Sequence, residues 1–439
     1  MKYSLKRAFV WATAYLALAM LPALVAYLGP VPPRTFWVEV GVGLGFVALG
    51  VLAMQFFLTG RFQSIVPSFG LDSMLQIHRQ LGLVALVLVL AHPVVLFAAV
   101  SSYFEFLDPR VELPRALALW AVIGALLLLV ATSLWRLVFR LEYEWWRLVH
   151  GALAAFVVFV GVTHTLQVGH YVSEPWIQGF FVLVLGGALG LLLNARLIRP
   201  WRMRRRPWRL TAVREERGDA WTLALEPQGH AGMRFRAGQF AWLTLNDTPF
   251  TLQQHPYSFS SSSDDAPDRV EFTVKVEGDF SASVRDAKPG RLAFLEGPFG
   301  HFLPSPDPRV GCVMIVGGVG VTPCMSMLRT FADREDGRNL NMIYANVALA
   351  DVIFFEELQR VQERLHFRVT HVLEEPPEGW EGEEGLITRD LLERHLPTDW
   401  DAYEYFICGP EAMMNIAETS LLELGIRQRQ ILSERFNMV

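Results

Sequence analysis

Six long apolar runs fill the first 198 residues, and they leave the chain few ways to fold. They lie near residues 8–29, 36–58, 78–103, 114–138, 146–168 and 175–198. Each holds about 20 or more mainly apolar residues, the length of helix that crosses a hydrocarbon layer of roughly 30 Å. The first run is too long for a signal-peptide core and lacks a convincing cleavage site, so it is read as retained. Overall the 439 residues are 52% hydrophobic, too apolar for an ordinary soluble enzyme. That excess sits in the first half; residues 200–439 read as soluble protein.

Basic residues orient the spans. Lys2, Lys6 and Arg7 precede span 1, and Arg61 and Arg79 lie between spans 2 and 3. Arg136, Arg140 and Arg147 flank the turn from span 4 to span 5, and Arg196, Arg199, Arg202, Arg204, Arg205 and Arg206 follow span 6. The alternate loops carry only Arg34, Arg110 and Arg115. The bias puts both termini and the whole soluble half in the cytoplasm. The stretch Arg199-Pro-Trp-Arg-Met-Arg-Arg-Arg-Pro207 reads as an interfacial anchor that marks the boundary.

Four histidines stand out on two of the spans. His78 and His92 lie 14 residues apart on one, His150 and His164 14 apart on another. Fourteen residues turn a helix by about 1400°, roughly 40° short of four turns, and advance it about 21 Å. Both members of each pair therefore share a helix face. A lone membrane histidine often serves only as a hydrogen-bond partner between helices. Two pairs at one spacing point instead to two metal sites, each clamping a b-type haem between axial imidazoles. Intramembrane ionisable residues are functional candidates in general. The inner haem is expected between His78 and His150, the outer between His92 and His164. Arg79 and Arg147 beside the inner pair read first as interfacial anchors, with haem propionates as alternative partners. Pro93, directly after His92, is expected to kink or loosen its helix.

The soluble half narrows the function classes. Net charge is −5 and no basic patch mixes with aromatics, so nucleic acid is not implied. The cysteines Cys312, Cys324 and Cys408 have neither metal-ligand nor disulfide spacing, which fits a reducing cytosol. Length allows about three domains at roughly 150 residues each. The expected division is a six-helix transmembrane bundle over 1–200, an antiparallel β-barrel domain over 207–306, and a doubly wound α/β domain over 308–439. Short alternating strands at 208–213, 221–225, 239–245 and 270–276 support the barrel. In the last part, the buried-strand pattern 310–316 runs into Gly317-Gly-Val-Gly-Val-Thr-Pro323 and a helical segment 324–332. A strand, a glycine turn and a helix start make a phosphate site from backbone N–H groups, with Pro323 suited to the first helical turn.

Several motifs then carry a resemblance. Ala237-Gly-Gln-Phe240, His255-Pro-Tyr-Ser258, Phe272-Thr-Val-Lys275 and Gly278-Asp-Phe-Ser281 resemble the FAD-binding domain of the ferredoxin–NADP reductase superfamily. The His-Pro in place of Arg-x before Tyr-Ser resembles its membrane branch, the NADPH oxidase and ferric reductase family. The six spans and the histidine pairs on spans 3 and 5 fit the same family, and the resemblance points to a prokaryotic NADPH oxidase-like member in a bacterial plasma membrane.

The resemblance implies cofactors and roles. FAD would lie against Tyr257, with Ser258 near its N5 and with Pro256 and Phe259 in the same segment. His255, Ser281 and Lys275 would approach the pyrophosphate. Gly297 and Gly300, in Gly297-Pro-Phe-Gly300, match the turn that accompanies the nucleotide loop. Gly317, Gly318, Gly320, Thr322 and Pro323 would hold the NAD(P)H pyrophosphate, and Cys408, Gly409 and Pro410 would lie beside the nicotinamide. Cys408 is read as a small packing residue on the hydride path rather than a nucleophile. Phe436 matches the family's terminal aromatic over the flavin, with a core residue of the last strand as the alternative, and Glu434 is placed near the nicotinamide. The stretch after Tyr344 carries no cation for a 2′-phosphate, so NADH is favoured over NADPH or used with it.

The implied activity runs from NAD(P)H through FAD and two haems to an acceptor across the lipid bilayer. Dioxygen giving superoxide is put first. Ferric chelate is the alternative, and the equal spacing of the two pairs slightly favours it. A third reading is an electron-supply subunit for a partner membrane protein. No obligatory cytosolic activator is signalled.

Overall fold

In this computed structural model, residues 2–61, 71–136 and 138–435 are described. The chain separates into two compact units, Lys2–Pro200 and Trp201–Val439.

Among the described residues, the first unit contains six helices long and apolar enough to cross a membrane. They are α1 (Lys2–Ala26), α2 (Phe36–Leu58), α3 (Leu71–Ala99), α4 (Leu113–Leu134), α5 (Tyr143–Val168) and α6 (Pro175–Leu193). A π-turn at Asn194–Ile198 and a short α7 (Arg199–Arg204) follow. Prolines in the first turn of α4 and α6 pre-set the helical φ where no N–H partner is needed. Gly169 ends α5 in the left-handed region, φ 69°, where a side chain would be strained.

The bundle buries Phe46, Leu49, Phe56, Val158, Val162, Ile177 and Phe181 in one cluster drawn from α2, α5 and α6. Large apolar side chains also point outward, among them Trp37, Trp120, Trp135, Trp145 and Trp176. That is an outer surface matched to lipid and its interfaces. One sequence expectation shifts: α3 begins at Leu71, so His78 lies about two turns inside it. Pro93 stands within this helix, which continues past it.

Among the described residues, the second unit holds two six-stranded sheets. The first comprises β1 (Trp208–Glu216), β2 (Ala220–Pro227), β3 (Phe240–Thr244), β4 (His255–Ser258), β5 (Val270–Lys275) and β6 (Leu292–Phe299). Its order is β4-β3-β6-β1-β2-β5, antiparallel throughout. A short α8 (Asp279–Val284) follows β5. The expected barrel is not closed by a ladder. Among the described residues, a single bridge joins the two edges of the sheet, between Phe259, just after β4, and Phe272 on β5. The physical reason lies in β4, four residues long, too short for continuous pairing on both edges.

The second sheet comprises β7 (Gly311–Gly317), β8 (Leu340–Asn346), β9 (Phe367–Leu373), β10 (Glu383–Glu384), β11 (Tyr403–Cys408) and β12 (Ile431–Glu434). All pairs are parallel, in the order β10-β9-β8-β7-β11-β12. Helices α9 (Val321–Asp333), α10 (Phe355–Gln362), α11 (Arg389–His395) and α12 (Glu411–Glu423) connect the strands. The central strand feeds two cores, because side chains alternate across a sheet. Cys312, Met314 and Val316 pack with α9 and α10, while Val313 and Ile315 pack with α11 and α12. Helices on both faces make the sheet doubly wound, as the alternating strand and helix pattern predicts.

Candidate functional site

Helices α3 and α5 bring the histidines together in twos. The ring centres of His78 and His150 lie 6.1 Å apart, with their planes at 58°. Trp146, one turn before His150, packs 5.0 Å from that ring. Further along the same helices, His92 and His164 line one cavity. Phe106 meets His164 edge-on at 6.2 Å. The cavity walls are mostly aliphatic and aromatic, with Arg34, Tyr103, His170 and Tyr171 among the few polar lining residues. Among the described residues, no group of three or more histidines, cysteines or carboxylates converges on a metal-sized gap.

His92 is oriented by the backbone of α2. Its Nδ1 lies 2.7 Å from the Gly41 carbonyl oxygen. A carbonyl only accepts, so Nδ1 carries the proton and Nε2 is the bare nitrogen. The approach depends on small residues. A Cβ at Gly45 would lie 2.7 Å from His92 Nδ1, and one at Gly41 would lie 2.7 Å from Leu96. Gly41-x-x-x-Gly45 is the spacing by which membrane helices meet closely. The signal stands in the second apolar run and is legible in the sequence. His78 Nδ1 and His164 Nδ1 are buried with no hydrogen-bond partner among the described residues.

The motif residues of the antiparallel sheet gather on β4 and around it. β4 is His255-Pro-Tyr-Ser258, paired with β3 so that Tyr257 faces Ala241 and Ser258 faces Phe240 in register. The His255 and Phe280 rings stack at 4.1 Å, and the Tyr257 ring lies nearly parallel to Phe280 at 6.2 Å. Phe280 sits inside the quoted Gly278–Ser281 motif, so its place beside Tyr257 was open to sequence reasoning but missed. Burial and the nearby Glu277 push the Tyr257 hydroxyl well above its ordinary pKa, so it stays protonated. Ser258 is buried, and its Oγ has no hydrogen-bond partner among the described residues. Lys275 ends β5 opposite Ala220.

Two residues of the expected FAD-binding set, Phe259 and Ser281, have side chains that make contacts within the protein. The Phe259 side chain is fully buried, stacked on Phe235 at 4.0 Å and packed against Phe272 at 4.9 Å. It belongs to the core because it points to the opposite face from Ser258 along an extended chain. Ser281 Oγ accepts from the N–H groups of Glu277 and Gly278, both at 2.9 Å, and donates to the Gly278 carbonyl at 2.9 Å. Its hydroxyl thus holds its own loop in shape.

The glycine loop and the Cys-Gly-Pro motif meet at the ends of adjacent strands. β7 and β11 run side by side with Val316 opposite Cys408. A Cβ on Gly317 would strike Met413 and Pro410 at 2.8 Å, and one on Gly320 would lie 2.3 Å from the Cys408 carbonyl oxygen. Gly409 packs back against Gly317. Gly318, at φ 52°, has open space where a side chain would stand. Tyr344 donates to the Gly318 carbonyl at 3.0 Å and fixes the loop from β8. Thr322 and Pro323 form the first turn of α9. Cys408 is fully buried and lies in register with Glu434 on β12. Gly297 and Gly300 lie at the end of β6, with Gly300 at φ 103° between the Phe240 ring and the Glu434 carboxylate. Phe436 lies outside the described residues.

The serine run Ser260–Ser263 joins the two sheets. Ser326 donates to the Ser261 carbonyl at 2.7 Å, and the Ser263 N–H donates to Thr330 Oγ1 at 2.9 Å. Beside them, Arg329 bonds to Glu357 at 2.7 Å, to the Ser260 carbonyl at 2.7 Å and to Glu271 at 3.3 Å. Arg214 and Arg269 reach Glu271 at 2.8 Å and 2.6 Å. Burial alone would raise the Glu271 pKa, but the three guanidinium groups hold it below the usual carboxylate value.

Three family models match along the chain in series. "Ferric reductase like transmembrane component" covers residues 44–161, "FAD-binding domain" covers 217–289, and "Oxidoreductase NAD-binding domain" covers 314–419. The chain belongs to the NADPH oxidase/ferric reductase family. NADH-cytochrome b5 reductase 1 of Debaryomyces hansenii is 30% identical over 197 residues, 44% of this chain and 68% of that protein. The namesake of Mycosarcoma maydis is 31% identical over 179 residues, 40% of this chain and 55% of its own length. The chain thus spans 68% and 55% of the length of these two relatives. Among solved structures, the ferredoxin reductase in carbazole 1,9a-dioxygenase is similar over 53% of this chain and 69% of its own, at 23% identity and a TM-score of 0.47.

A member of this family with these three parts is a membrane-embedded, flavin-dependent NAD(P)H oxidoreductase. Its histidines fit axial ligation of haem, which uses imidazole nitrogens. Two imidazoles on one metal, through bonds of about 2 Å each, hold their ring centres roughly 6 Å apart, matching the 6.1 Å between His78 and His150. His92 offers a bare Nε2, the form a metal requires.

Proposed function

We propose that this protein carries electrons from cytoplasmic NAD(P)H through FAD and two b-type haems to an acceptor at the opposite membrane face. The acceptor we put first is dioxygen, giving superoxide. The observation that carries the reading is the pairing of four histidines in twos, 14 residues apart on the same two helices. His78 and His150 would hold the inner haem, and His92 and His164 the outer one. When bound, FAD accepts a hydride from NAD(P)H and the haems relay electrons singly, so that each NAD(P)H reduces two molecules of dioxygen.

The chain's own residues bind and orient. Tyr257, Ser258, His255 and Lys275 would hold FAD. Ser258 is the one with a buried hydroxyl in need of a partner, as a flavin ring edge would provide. Gly317, Gly318, Gly320, Thr322 and Pro323 would present backbone N–H groups to the NAD(P)H pyrophosphate. Cys408, Gly409 and Pro410 lie beside them at the carboxyl ends of adjacent parallel strands, the usual ligand position in such sheets. Phe436 would cover the flavin, and the segment after Tyr344, free of cations, favours NADH. Boundaries near 200 and 307 would separate the three working parts. Lys2, Lys6 and Arg7 before the first span and the arginines between alternate spans support a cytoplasmic soluble unit.

The outer cavity supports dioxygen. Among the described residues its lining holds no carboxylate and is dominated by Val, Leu and Phe side chains, a setting into which a small neutral molecule partitions readily. Arg34 in the same lining is the feature that favours an anionic ferric chelate instead.

The test uses full-length protein in nanodiscs with FAD and NADH. Dismutase-sensitive reduction of cytochrome c, measured beside reduction of ferric chelates, is expected to show superoxide as the main product. Preparations with full flavin but no Soret band would refute the haem reading. Rapid chelate reduction without superoxide would refute dioxygen.

A further inference from the structure

We infer that Ser133 is a positioning residue for the inner histidine pair. It fixes the tautomer and the ring orientation of His150. The inference rests on the haem reading above and concerns a contact that no sequence motif announces.

Ser133 stands near the end of α4, next to α5. Its Oγ lies 2.6 Å from the Leu129 carbonyl oxygen, to which it donates. The same Oγ lies 3.1 Å from His150 Nδ1. A hydroxyl has one proton, and the Leu129 carbonyl takes it. The second contact therefore runs the other way: His150 Nδ1–H donates to the hydroxyl lone pair. Nε2 of His150 is left bare, and the ring faces His78 at 6.1 Å. A serine on a membrane helix is already satisfied by the carbonyl one turn back. The contact to His150 is thus not needed by the serine; it serves the histidine.

The outer pair follows the same rule with another acceptor. There the Gly41 carbonyl receives His92 Nδ1–H at 2.7 Å. In each pair one imidazole has its Nδ1–H fixed, by α4 in one case and by α2 in the other. The remaining two, His78 and His164, have no such partner at Nδ1 among the described residues. A backbone carbonyl cannot be removed by substitution, whereas a serine hydroxyl can. An acceptor at the far nitrogen raises the basicity of the ligating nitrogen. That favours ferric over ferrous iron, so Ser133 lowers the potential of the inner centre.

Ser133→Ala and Ser133→Thr in the full-length, haem-loaded protein test this by spectroelectrochemical titration and low-temperature EPR. Ser133→Ala is expected to keep both haems. It should raise the ferrous-to-ferric ratio of one centre at fixed potential by up to tenfold, about 59 mV for one electron, and move that centre's low-spin signal. The other centre should not change, and Ser133→Thr should restore the wild-type values. Loss of one haem in Ser133→Ala that Ser133→Thr restores supports the inference equally. Haem-replete Ser133→Ala with both potentials and signals unmoved overturns it and leaves the haem reading intact. Wild-type protein that binds no haem overturns both.

Discussion

His92 can turn its Nδ1–H to Gly41 only because no side chain stands at Gly45. A methyl there would lie 2.7 Å from the imidazole nitrogen and 2.9 Å from the adjacent ring carbon, well inside van der Waals contact. The ring is tethered to a backbone carbonyl and cannot swing away without breaking that bond, which is worth about 0.5–1.5 kcal/mol. Overpacking adds about 1–3 kcal/mol more. Gly45→Ala is therefore expected to fold and to lose the outer haem, or to shift its absorption and potential, while the inner haem is unaffected. Pyridine haemochrome assay per flavin checks this, and two unchanged haems would show that His92 is not a ligand. The four histidines themselves were legible from spacing alone, since a shared helix face is a matter of arithmetic. What orients them was not. Gly41 and Ser133 lie 51 and 17 residues from the imidazoles they serve, and no local pattern links positions on different helices. Phe259 shows the same limit from the other side: its motif placed it with the flavin residues, but strand alternation turned its ring into the core.

Elements were read more surely than their ends and contacts. The second span was placed at 36–58 and the helix runs Phe36–Leu58. That segment carries strong polar or turn residues at both ends. α3 instead starts seven residues before the apolar run, because a helix extends past the lipid-facing stretch into polar residues that hydropathy discounts. The antiparallel strands were visible by alternation, but closure of the sheet was not, since it depends on how far edge strands reach each other. The meeting of the glycine loop with Cys408-Gly-Pro410 was also hidden, because β7 and β11 are neighbours in the sheet yet about 90 residues apart in sequence. That meeting carries a prediction. A methyl at Gly320 would lie 2.3 Å from the Cys408 carbonyl and 2.8 Å from the Gly409 nitrogen, so backbone must move on one side or the other. Gly320→Ala is expected to raise the NADH concentration needed for half-maximal flavin reduction by tenfold or more. Haem spectra and dithionite reduction should be unchanged. Stopped-flow flavin bleaching measures it, and unaltered NADH dependence would remove this loop from the nucleotide site.

At the scale of the whole molecule, the proposed function is a series circuit, and a series circuit fails differently according to where it is cut. The two histidine pairs are separated by about 21 Å along α3 and α5, and in the proposed circuit electrons pass from the flavin to the inner centre and then to the outer one. Cutting at the outer pair with His164→Leu should leave one haem that NADH still reduces, while superoxide output falls to background. Cutting at the inner pair with His78→Leu should leave a different haem, reducible by dithionite but not by NADH on the time scale of turnover. In both variants NADH should still reduce the flavin, because the nucleotide loop and β4 belong to a separate compact unit, Trp201–Val439. Anaerobic mixing with NADH, followed at flavin and haem wavelengths in the two variants, separates these outcomes. The order of the circuit is the decisive feature. If His78→Leu allowed NADH to reduce its remaining haem as fast as wild type does, electrons would reach the outer face by a route that bypasses His78 and His150. The paired histidines would then be two independent centres and not a relay.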